Sequence, residues 1–188
     1  MLKRPALILC SVLLIQGCAA AVVAGTAGAV TSANDRRTLG SQIDDNNIEI
    51  KGTLALKRIP ALANHANISL VSVNGHVLMV GQVSTVEMKQ QAHNTLKGVQ
   101  GIKRIYNQLR IGSNIGITTQ TNDSWLTTKV KTKLIADDHI DGGNIKVVTE
   151  NSEVFLMGLV NQDEAERAVD IARNVHGVLK VVKAFEIL

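Results

Sequence analysis

The sequence predicts an α+β protein of two tandem αββαβ units, each a small three-stranded mixed sheet with two helices on one face. Three observations predict it: the chain repeats itself, each copy holds a two-residue turn between β-rich runs, and helical spacing flanks those runs. In the repeat, "NISLVSVNGHVLMVGQV" (67–83) lies over "NIKVVTENSEVFLMGLV" (144–160). Ile68 meets Ile145, Asn74 meets Asn151, Val77 meets Val154, Gly81 meets Gly158 and Val83 meets Val160. After a one-residue shift, Ala92 meets Ala168, Val99 meets Val175 and Gly101 meets Gly177. Upstream, Leu54 can be laid over Leu134, which places Trp125 on Asp45. The repeating unit is therefore roughly 67 residues long.

Each element has its own local reason. The second copy opens with a helix after Asp123, a good N-cap, and keeps Leu126, Val130 and Leu134 on one stripe. The matching helix of the first copy is poorer, with Gly52 inside it and Pro60 near its end. Two β-rich runs follow. Asn74-Gly75 is a strong type I′ hairpin signal, and Asn151-Ser152 a weaker one. Helices are then expected over Thr85–Lys97 and Gln162–Asn174, closed by glycine in "GVQG" and "VHG". The last strands are expected over Lys103–Ile111 and Leu179–Leu188. Units of this size barely bury a core alone, so the copies should pack against one another or support each other through the short linker.

The N-terminus reads as an address rather than as structure. Lys3 and Arg4 precede an apolar run from Leu7 to Ile15, too short to span a bilayer. "LLIQGC" fits a lipobox, with Ile15 and Gly17 placed as that motif requires and Cys18 as the acylated residue. Ala19 follows the cysteine; the absence of aspartate there resembles outer-membrane sorting. The organisation expected is a signal peptide (1–17), a lipidated N-terminus and tether (18–45), a first domain (46–112), a linker (113–122) and a second domain (123–188). Within the tether, Ala21, Gly25 and Ala29 form a small-xxx-small pattern, so 19–33 reads either as a flexible tether or as a packing helix.

Composition narrows the chemistry. Cys10 is removed with the signal segment and Cys18 is the lipid carrier, which leaves no thiol for a disulfide, a metal cluster or catalysis. No two of the five histidines stand at ligand spacing, and no nucleophile or phosphate-loop motif occurs. Asp163, Glu164 and Glu166 open a helix, where they complement its dipole. Asp137, Asp138 and Asp141 lack the calcium-loop pattern. The expectation is a non-enzymatic protein with no cofactor and no metal. Without residues 1–17 the chain carries 18 basic and 16 acidic side chains, too even a balance for nucleic acid. The first copy (46–112) holds eight basic and two acidic residues; the second (122–188) holds eight and eleven. Opposite signs could dock one copy on the other, or direct the first to an anionic membrane.

Trp125 is the single tryptophan, and a basic segment follows it. Trp125, Lys129 and Lys133 recur at i, i+4, i+8 on one stripe, beside the core stripe of Leu126, Val130 and Leu134. A tryptophan beside lysines suits the headgroup layer of anionic phospholipid, with Leu126 entering beside it. The competing reading places Trp125 in the contact between the copies.

The motifs "VNGHVLMVGQV" with "VQGI", and "TENSEVFLMGLV" with "VHGV", resemble the BON domain, an αββαβ module of bacterial envelope proteins. With the lipobox, the whole chain is similar to dual BON-domain outer-membrane lipoproteins. The resemblance implies an outer-membrane location facing the periplasm, phospholipid binding and a part in envelope integrity. It also implies that "NDSWLTTKVKTKL" is the first helix of the second domain. A protein-binding adaptor for envelope assembly or cell-wall factors is the other function compatible with these residues.

Overall fold

The computed structural model describes residues 35–112 and 117–188. Cys18, the signal segment, the 19–33 tether and linker residues 113–116 lie outside the described residues. The first copy runs α1 (Leu39–Lys57), α2 (Pro60–His65), β1 (Ala66–Val73), β2 (His76–Val83), α3 (Val86–Lys97), β3 (Arg104–Asn107) and β4 (Arg110–Ile111). The second runs α4 (Ile117–Ile135), β5 (Lys146–Glu150), β6 (Glu153–Val160), α5 (Gln162–Arg173) and β7 (Lys180–Ile187). In each sheet the middle strand pairs antiparallel with its hairpin partner and parallel with the last strand.

Both hairpins have two central residues at positive φ, as a type I′ turn requires: 51° and 77° at Asn74 and Gly75, 52° and 61° at Asn151 and Ser152. Neither Asn151 nor Ser152 is a glycine, yet the second turn is the same, and an aspartate accounts for it. The Asp123 carboxylate accepts the Asn151 N–H at 2.7 Å and the Ser152 N–H at 2.8 Å. Asp45 does the same for Asn74 and Gly75, at 2.7 and 2.8 Å, and also accepts the Ser72 hydroxyl. This corrects two expectations. Asp123 does not cap its helix, which already begins at Ile117; its carboxylate reaches sideways to the turn. The repeat register also moves, because Asp45 is the counterpart of Asp123 and buried Leu56, rather than half-exposed Leu54, is the counterpart of Leu134. Trp125 therefore lies over Asn47.

α1 is continuous across Gly52. A Cβ there would stand 2.7 Å from Leu70 Cδ1 and 3.1 Å from Leu96 Cδ2, so the glycine lets the helix sit close on its sheet. Pro60 begins α2 instead of ending α1, in the first turn where its missing N–H costs no hydrogen bond. The last strand of the first copy is broken between Asn107 and Arg110, which turns Leu109 into the core.

Each copy has its own core. Ile48, Leu56, Leu62, Ala92 and Leu96 pack on Val77, Met79 and Val83 in the first. Leu126, Val130, Leu134, Ala165, Ala168 and Ala172 pack on Val154, Leu156 and Val160 in the second. A third core lies between the copies: Val73, Leu78 and Val80 from one sheet meet Phe155, Met157 and Ala184 from the other. Alternate residues of β2 and β6 thus serve different cores, and the two sheets pack face to face with helices on their outer sides.

Polar contacts frame this third core and match the opposite charges of the copies. Arg110 pairs with Glu153 at 2.7 Å, Asn74 donates to Glu186 at 2.7 Å, and Gln82 donates to Glu150. The chain entering α1 also joins the copies. Arg36 forks onto Glu164 with two 2.6 Å bonds, while the next residue, Arg37, donates to Asp45 at 2.9 Å.

Two outcomes follow from these contacts. Asp123→Ala strips two turn N–H groups of a charged acceptor and should cost about 2–4 kcal/mol in a urea melt, with Asp123→Asn intermediate. Glu150 is half-buried, and burial raises its pKa, opposed by the Gln82 hydrogen bond and reinforced by the nearby Asp123. A raised carboxyl binds its proton more tightly in the folded state, so its charge penalises folding at neutral pH and the penalty is relieved as pH falls. Glu150→Gln keeps an acceptor for Gln82 and removes the charge. It should be more stable than wild type at pH 7, by an amount that shrinks on acidification towards the ordinary value of 4.5 and vanishes below it. Paired urea midpoints across that range measure the difference.

Candidate functional site

α4 divides its side chains cleanly. Leu126, Val130 and Leu134 are each 0% exposed and form the inner face. Trp125 is 53% exposed and takes no part in any of the three cores. Lys129, one turn on, holds its ammonium 3.9 Å from the centroid of the indole ring, a cation–π contact. Lys133 is exposed one further turn along. The structure therefore brings Trp125 and Lys129 together, keeps Lys133 on the same side, and takes Leu126 away. As a lipid-contacting residue Leu126 is a correction: it is the inward neighbour of Trp125, sealed beneath Gly177, and headgroups cannot reach it. Trp125 at the contact between the copies is likewise corrected, since that contact is made by the sheet faces.

Trp125 is held by a stitched frame. Two residues before it, Asp123 is fixed to the hairpin turn by the two bonds described above. Asn122 donates to the Ser152 hydroxyl at 3.3 Å, and the Thr127 and Thr149 hydroxyls meet at 2.8 Å. The turn after α5 joins the same place, where the Leu179 N–H donates to the Ser152 carbonyl at 2.9 Å. Gly177, at φ 100°, leaves room there for Leu126; a Cβ on it would stand 3.0 Å from Leu126 Cδ2. Leu179 itself is 81% exposed, the highest value among the large apolar side chains of the described residues. Sequence periodicity gives no sign of it, because it lies in a turn more than fifty residues from Trp125.

The acidic groups have local work. Asp137 pairs with Arg167 at 2.7 Å, and that guanidinium holds its carboxyl below the ordinary value. Asp141 accepts from Gly143 and Asn144 within a short 3-10 turn. Glu164 closes a capping box with Asn161 and takes the Arg36 fork, which lowers its pKa. Among the described residues no three His, Cys, Asp or Glu side chains are grouped to share a metal ion, and no helix is long and apolar enough to cross a membrane.

Comparison with known proteins places this architecture. The family model of the BON domain matches twice, over residues 44–113 and 122–188. The chain is 41% identical to the outer membrane lipoprotein DolP of Haemophilus influenzae over 187 residues, all of this chain and 97% of the relative. It is 40% identical to a 21 kDa hemolysin of Actinobacillus pleuropneumoniae, over 79% of this chain and 77% of that one. It is 27% identical to osmotically-inducible protein Y of Escherichia coli, over 86% and 87%. Two matched modules on a face-to-face pair of sheets, with a full-length relative of this kind, lead to one conclusion: the chain belongs to the BON-domain family and is a lipid-anchored lipoprotein of the outer membrane.

Proposed function

We propose that the chain, acylated at Cys18, is a non-enzymatic, periplasm-facing lipoprotein whose second domain binds anionic phospholipid through Trp125, Lys129 and Lys133 and so supports outer-membrane integrity. The observation that carries this reading is a half-exposed tryptophan with a lysine ammonium 3.9 Å over its ring. An indole left in water at a fixed position is costly, and its amphipathic body suits the headgroup layer. The ammonium above it places a positive charge where a phosphate would sit once the ring enters that layer. Lys133, about 12 Å along the helix from Trp125, would meet a second phosphate. The register now sets Trp125 over Asn47, so the module folds with a polar residue at this position. The tryptophan is thus an addition to the scaffold.

A second reading is favoured by α1. At about 100° per residue, its exposed Leu39, Ile43, Ile50 and Leu54 share one outward face. Such a face supports an adaptor role for the first domain, in which an envelope protein covers it.

Trp125 is the only tryptophan, so its emission tests the leading reading directly. The mature chain carrying Cys18→Ser is titrated with phosphatidylglycerol and with phosphatidylcholine vesicles. A blue shift and protection from an aqueous quencher are expected with the anionic vesicles alone. Trp125→Glu should abolish binding while changing the unfolding free energy from a urea melt by no more than about 0.5 kcal/mol, as for other exposed sites. Emission unchanged by lipid would sink the phospholipid reading and leave the adaptor one.

A further inference from the structure

Trp125 is one of two apolar side chains exposed at the same corner of the second domain. The other, Leu179, is bonded through its backbone to Ser152, which Asn122 and Asp123 of α4 also bind. Three segments that are distant in sequence are therefore stitched together here: α4, the β5–β6 turn and the turn that follows α5.

The first copy shows what this corner is without its additions. The Lys103 N–H donates to the Gly75 carbonyl at 2.8 Å, just as Leu179 does to Ser152, so Lys103 is the counterpart of Leu179. Asn47 is the counterpart of Trp125. Asn47 and Lys103 line one polar cleft, together with Asp44, Lys51 and Gln100. The two positions are thus neighbours across a single surface feature. In the second copy both carry large apolar groups, 53% and 81% exposed. Neither is needed by the fold, since the first copy folds with polar residues at both. Exposed apolar surface at these two positions is favourable only where something apolar covers it. The basic group on the helix persists: Lys129 stands where the first copy has Lys51. Lys180 turns to the other face of the sheet, 3.9 Å from Glu153, which also pairs with Arg110 at 2.7 Å. Asp123, two residues before Trp125, is buried and occupied by the turn.

We infer that Leu179 is a second membrane-inserting residue, which enters the bilayer beside Trp125 to form a two-pronged apolar tip flanked by Lys129. This rests on the phospholipid reading above and names the part of the surface that reading lacks. It also supplies the aliphatic anchor that buried Leu126 cannot. The occupant is a lipid surface, because two apolar groups beside Lys129, with Lys133 exposed one turn further along α4, match an acyl layer beneath anionic headgroups.

The test uses the mature chain carrying Cys18→Ser, phosphatidylglycerol vesicles, co-sedimentation and Trp125 emission. Leu179→Lys restores the first-copy residue and adds a positive charge, which by itself would strengthen attraction to these vesicles. The inference expects the opposite: a partition coefficient lower by about tenfold or more, with an unchanged urea midpoint. Leu179→Ala should fall between. Conversely, Asn47→Trp with Lys103→Leu, placed in a Trp125→Glu background, should build a tip on the first domain and restore binding. Wild-type partition by Leu179→Lys, with the Trp125 blue shift intact, overturns the role of Leu179 and leaves the Trp125 contact standing. Failure of the wild-type chain to bind at all overturns both. Self-association without vesicles that Leu179→Lys abolishes also overturns the inference, because a second copy would then be what covers the tip.

Discussion

The packing of Leu78 and Val80 against Phe155 and Met157 is the interaction on which the remaining geometry depends. A three-stranded sheet with helices on one side leaves its other side apolar and wet. Here each copy covers the open side of the other. β2 and β6 are buried on both faces, and everything that faces solvent is set by that choice. The helices lie on the outer sides, so their outward residues are what the protein offers to partners. The polar contacts from Arg110, Asn74 and Gln82 fix the angle of the two sheets around a core that has no directionality of its own.

A second constraint operates inside each copy, where one buried aspartate ties the first helix to the hairpin turn. Asp45 and Asp123 resolve two problems together. They satisfy turn N–H groups that the strand ladder does not use, and they set how far along the sheet the helix sits. The position of Trp125, two residues beyond Asp123, follows from that tie. So does its closeness to the turn after α5, since the same Ser152 bonds to both segments. The exposed corner is thereby a rigid surface built from separate parts, which suits insertion at an interface where loose side chains would lose entropy on ordering.

Much of the fold is legible in the residues because the repeat gives each element twice. The Asn74-Gly75 turn and the i, i+4 spacing of Leu126, Val130 and Leu134 each have a local cause. Gly52 reads as a flaw in a helix because propensity reports the solvent-exposed case; packed against Leu70 and Leu96, it is what lets the helix approach. Asp123 reads as a helix cap because its tertiary partners are about thirty residues away. The pairing of Trp125 with Lys129 is visible from spacing alone. Leu179 is not, since turns carry no periodicity, and its counterpart Lys103 only gains meaning once burial and the aspartate ties have set the register. The face-to-face sheets leave one trace, the unbroken apolar run of β2, which signals double burial without saying by what.

The double burial of β2 and β6 has a consequence for how such a chain can diverge. A duplicated module begins as two independent copies, and either can be lost. Once both open sheet faces are apolar, either copy alone would expose that face to water, and the duplication is held like a ratchet. From then on the inner strands must change together, residue for residue, while the outer helices are released from that bond. One copy is free to acquire Trp125 and Leu179 while the other keeps Asn47 and Lys103. The shared core is therefore what allows two halves of common design to specialise apart without ever separating.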